Sequence, residues 1–206
     1  MSPTPPSVAP SAAERTAPAR AGAVLFRYRS WLPVPFVLIA LGVPAHIGVA
    51  NWIAGAILIV IGEGIRLAGV AAAGTVTRRR SRDVQRLVTY GIFRWMRNPL
   101  YVGNYLIWMG FVAISGVLWF LAVATGIFAL EYSLIVAYEE GVLESIFGQE
   151  YLDYKPTTPR WIPTPPATPE NGPHDWAEAW RSEISTFLQY AALCGAFALK
   201  AVYWHG

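Results

Sequence analysis

The stretch RWMRNPLYVGNYLIWMG, residues 94 to 110, sets Arg94, Arg97, Asn98 and Pro99 at the threshold of an otherwise apolar run. Proline pushes the residue before it out of the helical region, so the sequence predicts an extended Asn98 and a helix starting at about Pro99. The open N–H groups and positive dipole end of such a helix can hold an anionic group at a membrane surface; a plain helix start flanked by interfacial arginines fits the same residues. Glu139 and Glu140 stand side by side at the end of another apolar run. The helix dipole disfavours carboxylates there, so they are either solvated surface charges or a cation-binding pair. Glu63, Arg66 and Glu131 fall inside apolar runs, where ionisable groups are costly and are usually paired. Arg66 is expected to pair with Glu63 or Glu131, either to fix helix packing or to meet a substrate headgroup.

These residues need elements to hold them. Of 206 residues, 54% are hydrophobic and 14% charged, with a mean hydropathy of +0.37. That balance excludes an ordinary soluble domain and indicates an integral membrane protein. A formal charge of +3 and a pI near 9.1 do not indicate nucleic acid, because arginines of membrane proteins sit beside anionic headgroups. Five apolar segments, about 31 to 49, 51 to 73, 99 to 115, 117 to 138 and 185 to 204, approach the roughly 20 residues that span a bilayer. The chain reads as an all-α membrane protein with about five transmembrane helices, forming two hairpins and a C-terminal helix. Arg15, Arg20, Arg27 and Arg29 precede the first segment, and the arginines from Arg78 to Arg97 lie between the second and third, whereas the two hairpin turns carry no basic residue. The N-terminus and the polar site are thus expected in the cytoplasm and the C-terminus on the opposite side.

Val142, Leu143, Ile146, Phe147 and Tyr151 at helical spacing, opposite Glu144, Gln149 and Asp153, predict an amphipathic helix at the cytoplasmic interface. Seven prolines from Pro156 to Pro173 predict an extended connector. The expected organisation is a disordered tail over 1–24, a membrane core over 25–163, a Pro-rich connector over 164–184 and a C-terminal transmembrane helix over 185–206. Cys194, the single cysteine, reads as a packing residue. His46, His174 and His205 lack metal-ligand spacing, so no metal is expected and all three read as surface or interfacial.

The ordered set LVTYGIFRWMRNPLYVGN and EEGVLESIFGQEYLDYKPTTPRWIP resembles the isoprenylcysteine carboxyl methyltransferase and phospholipid methyltransferase superfamily of membrane enzymes, over roughly residues 55 to 163. The resemblance implies S-adenosylmethionine as cofactor, with Gln85, Arg86, Leu87, Val88, Phe93, Asn98, Pro99, Leu100, Tyr101 and Glu139 around it. Two departures stand out. The family's histidine is Asn98 here, which cannot titrate near neutrality. The arginine that prenylcysteine enzymes carry four residues before the first glutamate is Ile135 here, which argues against isoprenylcysteine as substrate.

The function implied is methyl transfer to a lipidic or hydrophobic small molecule, a carboxylate or an amine, at the cytoplasmic face, with membrane lipids as surroundings, no nucleic acid and protein partners left open. A carboxylate acceptor needs no base; an ammonium must first lose a proton, for which Glu140 and Glu131 are the candidates. Arg97 is grouped with them as catalytic, and Ile135, Arg66 and Arg160 as substrate-contacting. The competing readings are a sterol-reductase-like enzyme using NADPH, and a non-catalytic membrane scaffold or transporter subunit.

Overall fold

The computed structural model describes residues 17–74, 86–168 and 172–203. All regular structure among them is helical: α1 Ala17–Tyr28, α2 Pro33–Gly42, α3 Val49–Ala73, a 3-10 turn Gly91–Arg94, α4 Pro99–Ile114, α5 Trp119–Phe147, α6 Gln149–Thr157 and α7 Trp176–Tyr203. Three of these, α3, α5 and α7, are long and apolar enough to cross a membrane. The pair Arg20–Tyr28 and Pro33–Gly42, bent by 60°, adds a fourth span if it counts as one. Helix α4 is apolar but has 16 residues, about 24 Å of rise. The observed count is therefore three spans, or up to four, where five were expected.

Pairing also differs from two sequential hairpins. Helix α3 packs along its length on α4, α1 lies on α5, and α7 lies on α3. Small residues explain the first contact. A Cβ on Gly62 would stand 2.7 Å from the Gly103 carbonyl oxygen, and one on Gly110 would stand 2.7 Å from that of Gly55. Glycines seven apart on each helix thus let the backbones touch, as membrane helices do where no hydrophobic driving force separates helix from lipid. Helix α1 seats in the same way: a Cβ on Gly22 would fall 2.0 Å from the Leu134 oxygen.

Several boundaries move. Residues 17 to 24, expected without regular structure, form the first turns of α1; the rest of that tail lies outside the described residues. No separate amphipathic helix begins near Val142, because α5 continues to Phe147 and ends at Gly148, whose φ of +53° suits glycine. Pro156 sits in the last turn of α6 rather than in a connector. Helix α7 begins at Trp176, earlier than 185, where Asp175 Oδ1 accepts the Glu178 N–H at 2.9 Å and caps the first turn. At its far end the buried Lys200 ammonium donates to the oxygens of Ala40 at 2.6 Å and Ser115 at 2.9 Å. Those carbonyls close α2 and α4, where the negative dipole ends attract a cation.

Candidate active site

A cavity of about 770 Å³ opens among α1, α3, α4, α5, α6 and α7. Its floor is built by the motif residues. Asn98, with φ −122° and ψ 53°, lies outside the helical region but is not the extended residue expected; its carbonyl accepts the first bonds of α4 from Tyr101 and Val102, so the helix starts where Pro99 dictates. The Asn98 amide donates to the Arg160 oxygen at 3.1 Å. The Arg97 N–H donates to the Pro159 oxygen at 2.8 Å, and its guanidinium reaches the oxygens of Lys155 at 2.5 Å and Thr158 at 2.6 Å. Glu140, buried, takes Arg97 Nη2 at 3.0 Å on one oxygen and Arg160 Nη2 at 2.5 Å on the other. Both carboxylate oxygens are thus engaged by guanidinium donors, and the segment after α6 is folded back under the start of α4. Burial pushes the phenols of Tyr151 and Tyr154 above their usual range; Tyr154 stays protonated and donates to the Phe93 oxygen.

Above the floor, Tyr101 donates to Glu139 Oε2 at 2.7 Å, and its ring lies 4.7 Å from that of Tyr132. Arg29, from the end of α1, stands 3.9 Å from the other Glu139 oxygen and 4.2 Å over the Phe26 ring. On the opposite side Arg86 donates to the Tyr90 hydroxyl at 2.7 Å, and that hydroxyl contacts the oxygens of Ala72 at 2.8 Å and Pro173 at 3.1 Å. His174, expected at the surface, is half-buried edge-on against Tyr90 at 5.7 Å, and Gly91, with φ +60°, leaves it room. The segment 172–175 therefore closes this wall. His46 is exposed, and His205 lies outside the described residues.

Deeper in the membrane, Arg66 donates to Glu183 of α7 at 2.9 and 3.1 Å, to Asn104, and stands 3.4 Å from Glu63, which also accepts the Tyr190 hydroxyl at 2.8 Å. Glu131 is not its partner. It lines a small crevice with Leu32, Phe36 and Trp108, next to the main cavity, which shares Pro33, Trp108 and Tyr132 with it.

Nine of the ten residues expected around a cofactor, from Arg86 to Glu139, line the cavity together, as do Arg97, Glu140 and Arg66; the tenth, Gln85, lies outside the described residues. Ile135 does not line it: with no exposed surface it is packed among Phe128, Tyr132 and Phe26. Arg160 contributes through Glu140. The wall residues that sequence reasoning missed include Phe26 on α1, Arg29 just after it, and Thr186, Gln189, Tyr190 and Leu193 on α7. Arg29 was visible only as one of several basic residues before the first apolar run; the α7 residues recur at helical spacing but carried no motif. Among the described residues no group of His, Cys, Asp and Glu could hold a metal ion.

Fold and cavity together define an integral membrane protein whose helices enclose a site lined by apolar walls, with charged and hydrogen-bonding groups both at its floor and around Arg66. Residues 50–150 match the phospholipid methyltransferase family model. The chain is 34% identical over 115 residues to a probable protein-S-isoprenylcysteine O-methyltransferase of Oryza sativa subsp. indica, covering 48% of this chain and 54% of the relative. It is 30% identical over 137 residues to protein-S-isoprenylcysteine O-methyltransferase A of Arabidopsis thaliana, with 59% and 63% covered, and 31% identical over 123 residues to the Homo sapiens protein-S-isoprenylcysteine O-methyltransferase, with 54% and 40% covered. The chain thus spans about half the length of the curated relatives it matches. No solved structure matches it. Residues 50–150 thus match the phospholipid methyltransferase family model, and isoprenylcysteine O-methyltransferases are similar to this chain over about half of its length.

Proposed function

We propose that the protein is a methyltransferase that uses S-adenosylmethionine to methylate a lipidic or hydrophobic acceptor at the membrane interface. The observation that carries this reading is the Tyr101–Glu139 pair, bonded at 2.7 Å, facing a cavity of about 770 Å³ whose walls combine aromatic rings with a few polar groups. That volume is typical of small-molecule sites. Aromatic faces and a carboxylate are the groups that suit a sulfonium cation, so the residues present fit the cofactor. Arg86, Leu87, Val88, Phe93, Asn98, Pro99, Leu100 and Tyr101 would hold it together with Gln85, and Glu139 would meet its positive charge or its hydroxyl groups. Bound S-adenosylmethionine supplies a methyl group on positively charged sulfur.

The chain's own part is to align the acceptor and keep water out. The acceptor atom forms its bond to the methyl carbon while the carbon–sulfur bond breaks, and the electron pair of that bond stays on sulfur. The Arg97–Glu140–Arg160 clamp positions the floor: with both oxygens engaged, Glu140 is a support rather than a proton acceptor. Glu131, outside the cavity, is not a base here either. An acceptor that needs no deprotonation, such as a carboxylate, agrees best with this arrangement. The topology that goes with it has five crossings, with α2 and α4 as short ones, the floor and N-terminus cytoplasmic and the C-terminus opposite, on the arginine asymmetry. Tags at residues 10 and 168 should report the cytoplasm, and a tag after Gly206 the other side.

Titration calorimetry of the purified chain with S-adenosylhomocysteine and with NADPH tests the reading, supported by mass spectrometry of copurifying small molecules. Binding of the first and not the second is expected. NADPH binding without S-adenosylhomocysteine binding would overturn it.

A further inference from the structure

Beyond its floor the cavity has a second polar level. Arg66 of α3, Asn104 of α4 and Thr186, Gln189 and Tyr190 of α7 line it together. Three of the five are held by the protein itself. Arg66 donates to Glu183 at 2.9 Å and to Asn104, and Tyr190 donates to Glu63 at 2.8 Å. Thr186 and Gln189 differ: among the described residues neither side chain makes a hydrogen bond. Ser182, one turn earlier on the same helix, shows the usual alternative, donating back to the Ala179 oxygen at 2.8 Å.

Packing sets this level between the floor and an apolar end. Along α4 the cavity-lining side chains run Tyr101, Asn104, Ile107 and Phe111, in steps that keep one helix face, so Asn104 comes one turn past the floor and the apolar groups follow. Helix α7 runs beside them, with the Tyr190 ring 5.5 Å from that of Phe111 and Leu193 one turn further on. Thr186 and Gln189 fall in the middle half of α7, which is long and apolar enough to cross a membrane. At that depth a polar group without a partner is costly, and a plain hydrocarbon chain lying along this wall would give neither of them one. Both side chains are neutral and both offer a donor, while the charged groups beside them are bonded to one another. The group that fits is a neutral oxygen that accepts hydrogen bonds.

On the reading that the protein is a methyltransferase, we propose that Thr186 and Gln189 form a subsite for a hydroxyl or carbonyl oxygen carried part-way along the apolar body of the acceptor, which makes the acceptor an oxygenated lipid. Helix α7 lies outside residues 50–150, the part that matches the family model, so this selectivity comes from the chain's own C-terminal helix. The subsite fixes how far the acceptor slides into the cavity, and thereby which of its atoms waits at the floor.

The test uses the full chain in detergent. Methyl stearate is titrated by calorimetry beside a series of methyl hydroxystearates whose hydroxyl is moved along the chain, and beside the matching ketones; S-adenosylhomocysteine is titrated separately. Sparing the two side chains an unsatisfied state predicts that one oxygen position binds about 5- to 150-fold more tightly than methyl stearate, with neighbouring positions falling away. Thr186→Val/Gln189→Leu should abolish that optimum and bring methyl stearate level with the oxygenated chains, with S-adenosylhomocysteine affinity within about twofold of wild type. Gln189→Leu alone, at an exposed position, should reduce the preference and decides the matter if the double variant does not fold. The proposal is overturned if wild type prefers no oxygen position, if the optimum survives the double variant, or if that variant loses S-adenosylhomocysteine, which would assign the two side chains to the donor. Failure of wild type to bind S-adenosylhomocysteine would sink the methyltransferase reading, while the positional optimum would still report on the subsite.

Discussion

Arg66 holds together three helices, and the charges around it make an asymmetric prediction. Its side chain is 16% exposed, that of Glu63 8% and that of Glu183 0%, so all three sit largely out of water, and Arg66 is a cation that both carboxylates share. Glu183→Gln removes a charge from bonds of 2.9 and 3.1 Å but leaves Arg66 with Glu63 at 3.4 Å, a balanced pair. Losing charged hydrogen bonds of this kind costs about 1.5 to 3 kcal/mol. Arg66→Gln leaves both carboxylates buried without their shared cation, which costs about 3 to 5 kcal/mol. At about 2 to 4 °C per kcal/mol for a chain of this size, the midpoints should fall by roughly 7 °C and roughly 12 °C. Other partners met inside the membrane when the helices separate reduce both numbers without changing their order. The double variant Arg66→Gln/Glu183→Gln removes one charge of each sign and should melt above Arg66→Gln alone. Thermal unfolding in detergent, followed by tryptophan fluorescence, measures all three. If Glu183→Gln is as damaging as Arg66→Gln, or the double variant is the least stable, the reasoning from charge balance is wrong.

Four further outcomes are expected. Tyr101→Phe, which deletes the 2.7 Å bond to Glu139, should weaken S-adenosylhomocysteine binding by roughly fivefold, and Glu140→Gln should lower donor affinity and melting temperature, whereas a proton-accepting Glu140 would lower kcat with affinity intact. Gly22→Leu forces a side chain into the Leu134 carbonyl, 2.0 Å from where its Cβ must sit, so α1 should lift from α5 and the midpoint of thermal unfolding in detergent should fall. Ile135→Arg puts a charge into a site with no exposed surface and should cost several kcal/mol, read as loss of monodisperse protein on size-exclusion chromatography.

Much of the site's floor was legible before any coordinates. Proline chemistry alone sets the start of α4 at Pro99, hydropathy alone marks α3, α5 and α7 as apolar, and the segments from Arg86 to Tyr101 and at Glu139 and Glu140 do converge on one cavity. These are local signals: a residue restricts its neighbour's backbone, or a run of side chains prefers lipid to water. Helix ends were less legible, because the continuation of α5 to Phe147 and the early start of α7 rest on Gly148 and on the Asp175 cap rather than on hydropathy.

What the sequence could not decide is which helix faces which, and at what register. Glu131 is no farther along the sequence from Arg66 than the partner that won: Glu183 lies 117 residues away. The choice was made by glycine faces on α3 and α4 that bring their backbones together, and by Lys200, which ties the end of α7 to α2 and α4. The same packing delivers Arg29 to Glu139 from a helix that composition suggested was partly a tail. Burial of an ionisable group forces it to find a partner, and this can be read from a sequence; the identity of the partner depends on backbone approach to within an ångström, which exists only once the helices are packed.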